Sequence, residues 1–330
     1  MKVLVTGGAG YIGSHAVLAL QAKGHEPIVF DNLSRGHREA VVEAPLIEGD
    51  LLSPEDISLA LEKHGIEAVL HFAGLTYVGE SVGHPDDYYR NNVVGTLHLL
   101  EAMRKHRVEK LIFSSTAATY GEPVRVPIDE THPQNPVNPY GRSKLMVEWI
   151  LRDHEAAFGT RHALLRYFNA AGSSFDGRIG EDHEPETHLI PRVLMAITGE
   201  VPQVTILGTD WSTPDGTCVR DYIHVEDLAD AHVLALEHLR KGGPSSAWNL
   251  GTGKGHSVRE VLLAAEKVSG KKVPVIEGAR RAGDPAVLVA SSEKAHRELG
   301  WKPNHPLLEE IVASAWKWAA RGRRYSTRSY

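Results

Sequence analysis

The sequence predicts an α/β protein with a doubly wound parallel sheet, in which helices cover both faces of the strands. Two observations predict this class. In the first third of the 330-residue chain, short runs rich in β-branched residues alternate with longer amphipathic stretches, as in βαβ units. The short runs, such as Val3-Leu4-Val5 and Ile28-Val29-Phe30, are almost continuously apolar, which is typical of strands buried on both faces.

The elements follow in chain order. We expect strands at residues 2–5, 27–30, 68–72 and 111–113, and a first helix at 14–23. The strand runs are short and apolar, whereas the helical stretch is longer and mixes apolar with polar residues. This order predicts a parallel sheet in the first half of the chain.

A second domain is expected after about residue 171. From there the pattern loosens, because Gly, Pro, Asp and His crowd the segments 172–191 and 208–216, where long loops are expected. We therefore expect domains at 1–171 and 172–330, the second a smaller α/β substrate-binding domain, with segments around 222–250 returning to the main sheet. Residues 321–330 carry four Arg among small polar residues, and we expect a solvated tail there.

The composition and net charge of the chain limit the classes of partner that we expect. The 36 Lys and Arg against 42 Asp and Glu give a net charge of −6, the wrong sign for nonspecific binding to nucleic acid or anionic lipid. The sequence contains no apolar stretch of about 18 residues and no signal-peptide pattern, so we expect no membrane partner. The single cysteine, Cys218, cannot form an intrachain disulfide, and we expect a cytoplasmic protein. Small molecules are the expected partners.

A glycine motif directly follows the first expected strand. Gly7, Gly10 and Gly13 have the spacing of the dinucleotide-binding fingerprint, and the first expected helix begins after them. In that pattern the glycines permit a tight turn and a close backbone approach to a pyrophosphate, which the helix N-terminus faces. The motif predicts a Rossmann fold that binds a dinucleotide. Turn glycines without a ligand are the alternative.

Asp31, followed by Asn32, ends the second expected strand. A carboxylate at this position accepts both hydroxyls of the adenosine ribose and repels a 2′-phosphate, so the sequence favours NAD over NADP. Arg35 and Arg38 weaken this preference, and an Asp that caps the following turn is the alternative interpretation.

Tyr140 and Lys144 lie four residues apart in a helix that Asn138 and Pro139 open as N-cap and first residue. One helical face therefore carries both side chains. A phenol that acts as a base at neutral pH needs a pKa roughly 3 units below its usual value, and an ammonium about 4 Å away favours that shift, as does an oxidised nicotinamide. We therefore expect Tyr140 to be a base with a lowered pKa. A core Tyr beside a solvated Lys is the alternative.

Ser114, Ser115 and Thr116 follow the expected strand at 111–113. They lie at the carboxyl end of the sheet, where ligands of such folds bind. Their hydroxyls are expected to orient the Tyr or the reacting alcohol, and simple capping of a turn is the alternative.

These motifs together resemble the extended short-chain dehydrogenase/reductase family. Within that family the chain is most similar to the UDP-glucose 4-epimerases, and the similarity runs from residue 1 to about 318. The segments that carry the closer resemblance are His71-Phe72-Ala73-Gly74, Tyr-Tyr-Arg-Asn-Asn-Val-Val-Gly-Thr-Leu at 88–97, Arg166-Tyr167-Phe168-Asn169 and Val-Arg-Asp-Tyr-Ile-His-Val at 219–225.

The resemblance implies interconversion of UDP-glucose and UDP-galactose through transient NAD-dependent oxidation at C4, with a Tyr base, rotation of a 4-keto sugar and return of the hydride. It implies contacts with NAD from the glycine loop and the strand ends, namely Gly7, Gly10, Tyr11, Ile12, Gly13, Asp31, Asn32, Asp50, Leu51, Phe72, Ala73, Gly74, Asn91, Lys144 and Phe168. The implied catalytic residues are Tyr140, Lys144 and Thr116.

The implied contacts with a UDP-hexose come from both halves of the chain, namely Thr116, Tyr140, Asn169, His188, Leu189, Arg220, Arg281, Asp284 and Leu288. Arginines suit a diphosphate, because the planar guanidinium binds phosphate oxygens in pairs.

The chain departs from versions of the family pattern at two positions. Thr76 stands where some members have a Lys that reaches the cofactor. Leu288 stands where some members have a bulky Tyr that excludes N-acetylated sugars, so UDP-N-acetylglucosamine and UDP-N-acetylgalactosamine are also expected substrates. Ala117 and Ala118 occupy the position of the acid or base that sugar-nucleotide dehydratases need, which favours epimerisation.

Other activities remain open from the sequence. An NAD(P)-dependent 4-ketosugar reductase and a noncatalytic sensor that retains NAD are the alternatives. The resemblance also implies a homodimer, formed through a four-helix bundle from helices expected at 92–104 and 144–158.

Two further patterns are interpreted without a ligand. The segment 249–255 lacks the first Gly and the Ser or Thr of a phosphate-binding loop, so we expect a turn, followed by a helix that Ser257 and Glu260 open as a capping box. The residues 181–188 are rich in His and Glu, but they lack a helical His pair and are interrupted by Pro185, so no metal is expected.

Overall fold

The structure is a computed structural model that describes residues 1–281, 284–322 and 325. Its strands, in chain order, are β1 Lys2–Thr6, β2 Glu26–Asp31, β3 Leu46–Glu48, β4 Ala68–His71, β5 Lys110–Thr116, β6 Arg161–Tyr167, β7 Asn169–Ala171, β8 Val204–Leu207, β9 Val219–His224, β10 Ser246–Leu250, β11 Gly255–Ser257, β12 Val275–Gly278 and β13 Val287–Leu288.

The helices alternate with these strands. They are α1 Tyr11–Ala22, α2 Pro54–His64, α3 Val78–Gly83, α4 Pro85–Tyr88, α5 Gly95–Lys105, α6 Pro139–Phe158, α7 Leu189–Thr198, α8 Val225–Arg240, α9 Val258–Ser269, α10 Glu293–Leu299 and α11 Leu308–Ala319. A π-helical segment at Tyr89–Val94 runs directly into α5, and it shortens the α-helix expected from residue 92.

A seven-stranded parallel sheet forms the centre, with the strand order β10-β6-β5-β4-β1-β2-β3. Val3 and Val5 of β1 belong to a core that includes α1 and α8, whereas Leu4 belongs to a core on the opposite face that includes α2, α5 and α6. Successive side chains of a strand point to opposite faces, so helices cover the sheet on both sides. The predicted doubly wound α/β fold is confirmed.

A second group of elements lies beyond the carboxyl ends of the main strands. The strands β7, β9, β11 and β13 form a small sheet, and β8 pairs with β12. A third core joins α7, α9 and α11 to these strands. Although the strand β10 comes late in the chain, it pairs with β6 at the edge of the main sheet, so the two halves of the chain are interleaved.

The expectation of a solvated tail at residues 321–330 is wrong for Tyr325. Tyr325 is only 8% exposed, and its ring stacks on His37 with centroids 4.7 Å apart. Its hydroxyl accepts a hydrogen bond from the Gly180 N–H at 3.1 Å. An aromatic ring gains more from packing than from hydration, which outweighs the polar character of its neighbours. Arg321 and Gly322 are exposed, and residues 323, 324 and 326–330 lie outside the described residues.

No helix in the described part of the chain has both the length and the apolar character needed to cross a membrane.

Candidate functional site

The glycine loop joins β1 to α1 and fits a pyrophosphate. Gly7 has a φ of +72°, and a Cβ there would lie 2.5 Å from the Ala73 nitrogen. A Cβ at Gly13 would lie 2.2 Å from the Gly7 carbonyl oxygen, so only glycine allows the helix to pack this closely. Gly10 is the N-cap of α1 and contributes no side-chain cap. The first-turn amides of α1 are therefore available to an anion in the adjoining cleft.

Asp31, at the end of β2, stabilises the loop that surrounds it. Its carboxylate accepts hydrogen bonds from the Ala9 N–H at 3.0 Å and the Leu33 N–H at 2.8 Å. The second bond is the turn cap that the alternative interpretation predicted, yet Asp31 also lines the cleft. Next to it, the Asn32 side-chain amide donates to the Asp50 carboxylate at 2.9 Å, so polar groups border this part of the cleft.

The helix α6 begins as the sequence predicted. Asn138 is its N-cap and accepts a hydrogen bond from the Gly141 N–H at 2.8 Å, and Pro139 occupies the first turn. Tyr140 and Lys144 both line the cleft. The Lys144 ammonium donates to the Ser114 carbonyl oxygen at 3.0 Å and lies 4.8 Å from the centroid of the Phe113 ring. The helix and β5 together position the two side chains.

The prediction that the pKa of Tyr140 is lowered is wrong for the described protein residues without a bound nucleotide. Burial raises the pKa of Tyr140, and a hydrogen bond with the Thr116 side chain offsets only part of that rise. Burial also lowers the pKa of Lys144 to about 8. The sequence estimate counted the attraction of nearby positive charge but not the loss of hydration, which favours the neutral form of a buried phenol.

Hydroxyl groups at the end of β5 have different partners. Ser115 donates to Glu148 at 2.7 Å, away from the cleft, and the Ser114 hydroxyl bonds to the Tyr167 hydroxyl, which is in the cleft. Thr116 caps the short 3-10 turn Ala117–Thr119 and lines the cleft together with Tyr140. The alternative capping role is therefore present at Thr116, and the orienting role stays a prediction.

All of the predicted site residues line one cleft of about 1120 Å³. Those from the second half of the chain are Asn169, His188, Leu189, Arg220, Arg281, Asp284 and Leu288, and Phe168 borders the same space. Arg281 donates to Asp284 at 2.8 Å. Leu288 is half-buried and packs against a small core of Ala117, Tyr120 and Ile128. Thr76, Ala117 and Ala118 also line the cleft.

Sequence reasoning missed several positioning residues. Asn92 is 3% exposed, accepts from the Leu75 N–H and donates to the Leu75 carbonyl and to the Ser143 hydroxyl. It thereby ties the loop after β4 to α6. Asp221 accepts from the amides of Thr252, Gly253 and Ala290. Both residues lie inside the motifs quoted above, but their partners are distant in sequence.

Comparisons with known proteins agree with this geometry. A family model described as the NAD dependent epimerase/dehydratase family matches residues 3–251, so the chain belongs to that family. Within the family, it is similar to the UDP-glucose 4-epimerase of Halalkalibacterium halodurans, with 52% identity over 318 residues, which cover 96% of this chain and 95% of the relative.

Solved structures extend the comparison. The UDP-glucose 4-epimerase of Brucella ovis in complex with NAD matches with 51% identity and a TM-score of 0.94, over 96% of this chain and 97% of the other. The UDP-Glc/GlcNAc 4-epimerase of Campylobacter jejuni matches with 42% identity and a TM-score of 0.85, over 97% and 99%.

Proposed function

We propose that the protein is an NAD-dependent UDP-glucose 4-epimerase that interconverts UDP-glucose and UDP-galactose. One observation carries the proposal. Tyr140, Thr116 and Lys144 line the same cleft as the glycine loop. Sequence identity of 52% with a UDP-glucose 4-epimerase supports the same activity.

The cofactor would lie along the carboxyl ends of β1, β2 and β4. The amides at the start of α1 would bind its pyrophosphate, and Asp31 and Asn32 would face its adenosine ribose. Asp50, Leu51, Phe72, Ala73, Gly74, Asn91, Lys144 and Phe168 would complete the contacts. Bound NAD supplies a reversible hydride acceptor for C4 and a positive charge near the phenol.

The reacting groups belong to the chain. Tyr140 would accept the proton of the 4-hydroxyl, and Thr116 would hold that hydroxyl by a hydrogen bond. The Lys144 ammonium favours the ionised phenol through its charge. Because the pKa of Tyr140 is raised by burial, these charges must offset that rise before Tyr140 acts as a base.

Epimerisation also requires the 4-keto hexose to rotate within the site while the nucleotide portion stays bound. Asn169, Arg220, Arg281 and Asp284 would hold the UDP portion, and the hexose would contact few fixed groups. Ala117 and Ala118 line the cleft beside Thr116, and their side chains have no acidic or basic group that could transfer a proton. Their presence favours epimerisation over dehydration.

The substrate range is proposed to include N-acetylated sugars. Leu288 borders the cleft and is smaller than a Tyr. The structural similarity to a UDP-Glc/GlcNAc 4-epimerase supports this range. UDP-N-acetylglucosamine and UDP-N-acetylgalactosamine would then be alternative substrates of the same site.

We also propose that residues 1–171 mainly bind NAD and residues 172–330 mainly bind the UDP-sugar. The lining of the cleft supports this division, because the glycine loop comes from the first part and Arg220 and Arg281 from the second. The strand β10 is the exception, since it completes the main sheet. The single cysteine favours the cytoplasm.

The proposed oligomer is a homodimer that pairs α5 and α6 of one chain with those of its partner. Val94, directly before α5, is 40% exposed, and Trp149 and Phe158 of α6 are 52% and 50% exposed. Large exposed apolar side chains of this kind favour an interface. Light scattering of the wild type should give a dimer, and Trp149→Glu should shift it toward monomer. A monomeric wild type at micromolar concentration would contradict this proposal.

The activity is tested with Tyr140→Phe. The variant should lower the turnover of UDP-glucose by roughly 100- to 10,000-fold, because it removes the proton acceptor but keeps the ring. Tyr167→Phe is the matched control, since it removes another hydroxyl from the same cleft and should retain at least about a tenth of the turnover. Unchanged interconversion in Tyr140→Phe would refute the proposed role of Tyr140, and a wild type without epimerase activity would refute the function.

A further inference from the structure

The loop between β7 and α7 brings two histidines and two glutamates together. Glu181, His183, Glu186 and His188 each offer one ligand atom, and these atoms all lie within 4.8 Å of one another. We expected no metal here from the sequence, because the spacing lacks a helical His pair. The loop nevertheless brings the four ligand atoms together without a helix.

The spacing of the ligand atoms is that of a small coordination shell. The His183 Nδ1 lies 3.3 Å from the Glu181 Oε1 and 3.4 Å from the Glu186 Oε2. The His188 Nδ1 lies 2.8 Å from the Glu181 Oε1 and 3.2 Å from the Glu186 Oε1. Ligands bound tetrahedrally at about 2.1 Å from Zn²⁺ lie about 3.4 Å from one another, close to these values.

Two of these atoms lack hydrogen bonds. Among the described residues, no hydrogen bond reaches the buried Glu181 Oε1 or the buried His183 Nδ1, and their contacts within the cluster are at ion-pair distances. The Glu181 side chain is 6% exposed, so water does not hydrate it freely. A buried carboxylate oxygen that no hydrogen bond reaches is costly, and a cation between this oxygen and the imidazole nitrogens would satisfy all of them.

Neighbouring groups hold the cluster in place. The Glu186 Oε1 accepts from the backbone N–H groups of Thr187 and His188, each at 2.7 Å, which fixes the carboxylate and leaves its Oε2 toward His183. The rings of Tyr11 and Tyr77 meet the His183 ring edge-on, each with centroids 6.1 Å apart. Such support of the ligands by an outer shell is typical of built metal sites.

We propose that Glu181, His183, Glu186 and His188 bind one Zn²⁺ ion. Two imidazole nitrogens and two carboxylates form a donor set that suits zinc better than magnesium or calcium, which prefer oxygen ligands alone. The ion would join residues 181–183 to residues 186–188 of the loop, beside Tyr11. It would also fix His188, which is half exposed and lines the cleft. The site shares His188 with the proposed UDP-sugar contacts, but zinc binding is measured without turnover, so the two proposals can fail separately.

The test measures zinc binding directly. Untagged protein is treated with a chelator and dialysed, and calorimetry then measures its titration with ZnCl₂ or MgCl₂. Mass spectrometry determines the metal content of the protein. We expect one zinc per chain and a rise in Tm of roughly 3 °C or more when zinc is in large excess over its Kd, with no comparable rise from MgCl₂.

Two variants remove ligands. Glu181→Gln keeps the shape of the side chain and His183→Ala removes an imidazole, and both should lose the zinc-dependent rise in Tm and the stoichiometric binding. His84→Ala, which changes an exposed histidine at the end of α3, is the control and should respond as the wild type does. If zinc fails to bind the wild type, or if both ligand variants bind it as tightly as the control, the four side chains form only an ion-pair network and the proposal is wrong.

Discussion

Glu148 of α6 and Arg166 of β6 form a buried ion pair with two hydrogen bonds, at 2.9 Å from Nε and 2.6 Å from Nη2. Their side chains are 0% and 2% exposed. Glu148 also accepts from Ser115, and Arg166 donates to the Tyr120 hydroxyl at 2.9 Å. Because α6 also carries Tyr140 and Lys144, this pair fixes the helix of the candidate catalytic residues against the sheet.

Glu148→Gln should strongly destabilise the protein. The substitution leaves the Arg166 charge buried without a counter-ion, which costs about 3–5 kcal/mol of unfolding free energy. Urea denaturation at pH 7 measures the loss. Arg152→Ala is the control, since Arg152 contacts Glu148 from an exposed position at 3.4 Å and its removal should cost less than about 1 kcal/mol. A Glu148→Gln variant as stable as Arg152→Ala would contradict the argument.

The same carboxylate predicts a loss of stability in acid. Burial alone raises the pKa of Glu148, but hydrogen bonds and the charge of Arg166 outweigh burial and lower it below its usual value. The unfolded chain therefore binds the proton at higher pH than the folded chain, so this contribution is present above about pH 4.5 and is lost as pH falls through the folded pKa. The difference in stability between the wild type and Glu148→Gln should shrink in acid, which denaturation curves at several pH values will measure. A constant difference would oppose this assignment.

Lys144→Met should stabilise nucleotide-free protein at pH 7 while abolishing turnover. Burial lowers the pKa of Lys144 to about 8. The folded protein at pH 7 therefore holds a charged ammonium away from water, which lowers the free energy of unfolding by about 3 kcal/mol. Between about pH 8 and 10.5 the unfolded chain retains the proton that the folded chain has lost, so the stability of the wild type should rise relative to Lys144→Met. Thermal unfolding at pH 7 and pH 10 tests both points. A variant less stable than the wild type at pH 7 would show that the hydrogen bond to Ser114 outweighs burial.

Leu288→Tyr should affect N-acetylated substrates selectively. The larger ring would occupy space in the cleft, so the ratio of kcat/KM for UDP-N-acetylglucosamine to that for UDP-glucose should fall by at least about 10-fold. Leu288→Met, which conserves volume, should leave the ratio nearly unchanged. Equal losses for both substrates in Leu288→Tyr would argue against a gate at this position.

Local signals made much of the fold and the site predictable. The N-cap at Asn138 and the capping box at Ser257 and Glu260 are both present, because they depend on residues within one helical turn. The glycine loop was predicted for the same reason. The predicted site residues line one cleft because strand ends of a parallel sheet converge on one edge.

Long-range contacts were not predictable in the same way. The pairing of Glu148 with Arg166 joins a helix to a strand, and the Asn92 contacts with Leu75 and Ser143 join segments that no local pattern relates. The sign of the Tyr140 pKa shift depends on burial, which only the packed structure gives. Tyr325 was missed because its partner His37 lies almost at the other end of the chain.

The late position of β10 has a consequence during synthesis. Trp248 is fully buried in the first core, and the Asn249 side chain accepts from the Tyr120 hydroxyl, so the seventh strand is integral to the sheet. At roughly 5–20 residues per second, a ribosome takes several seconds between finishing β6 and finishing β10. During that interval the nascent chain exposes an unpaired edge at β6, a surface prone to misassociation that chaperones would be expected to shield.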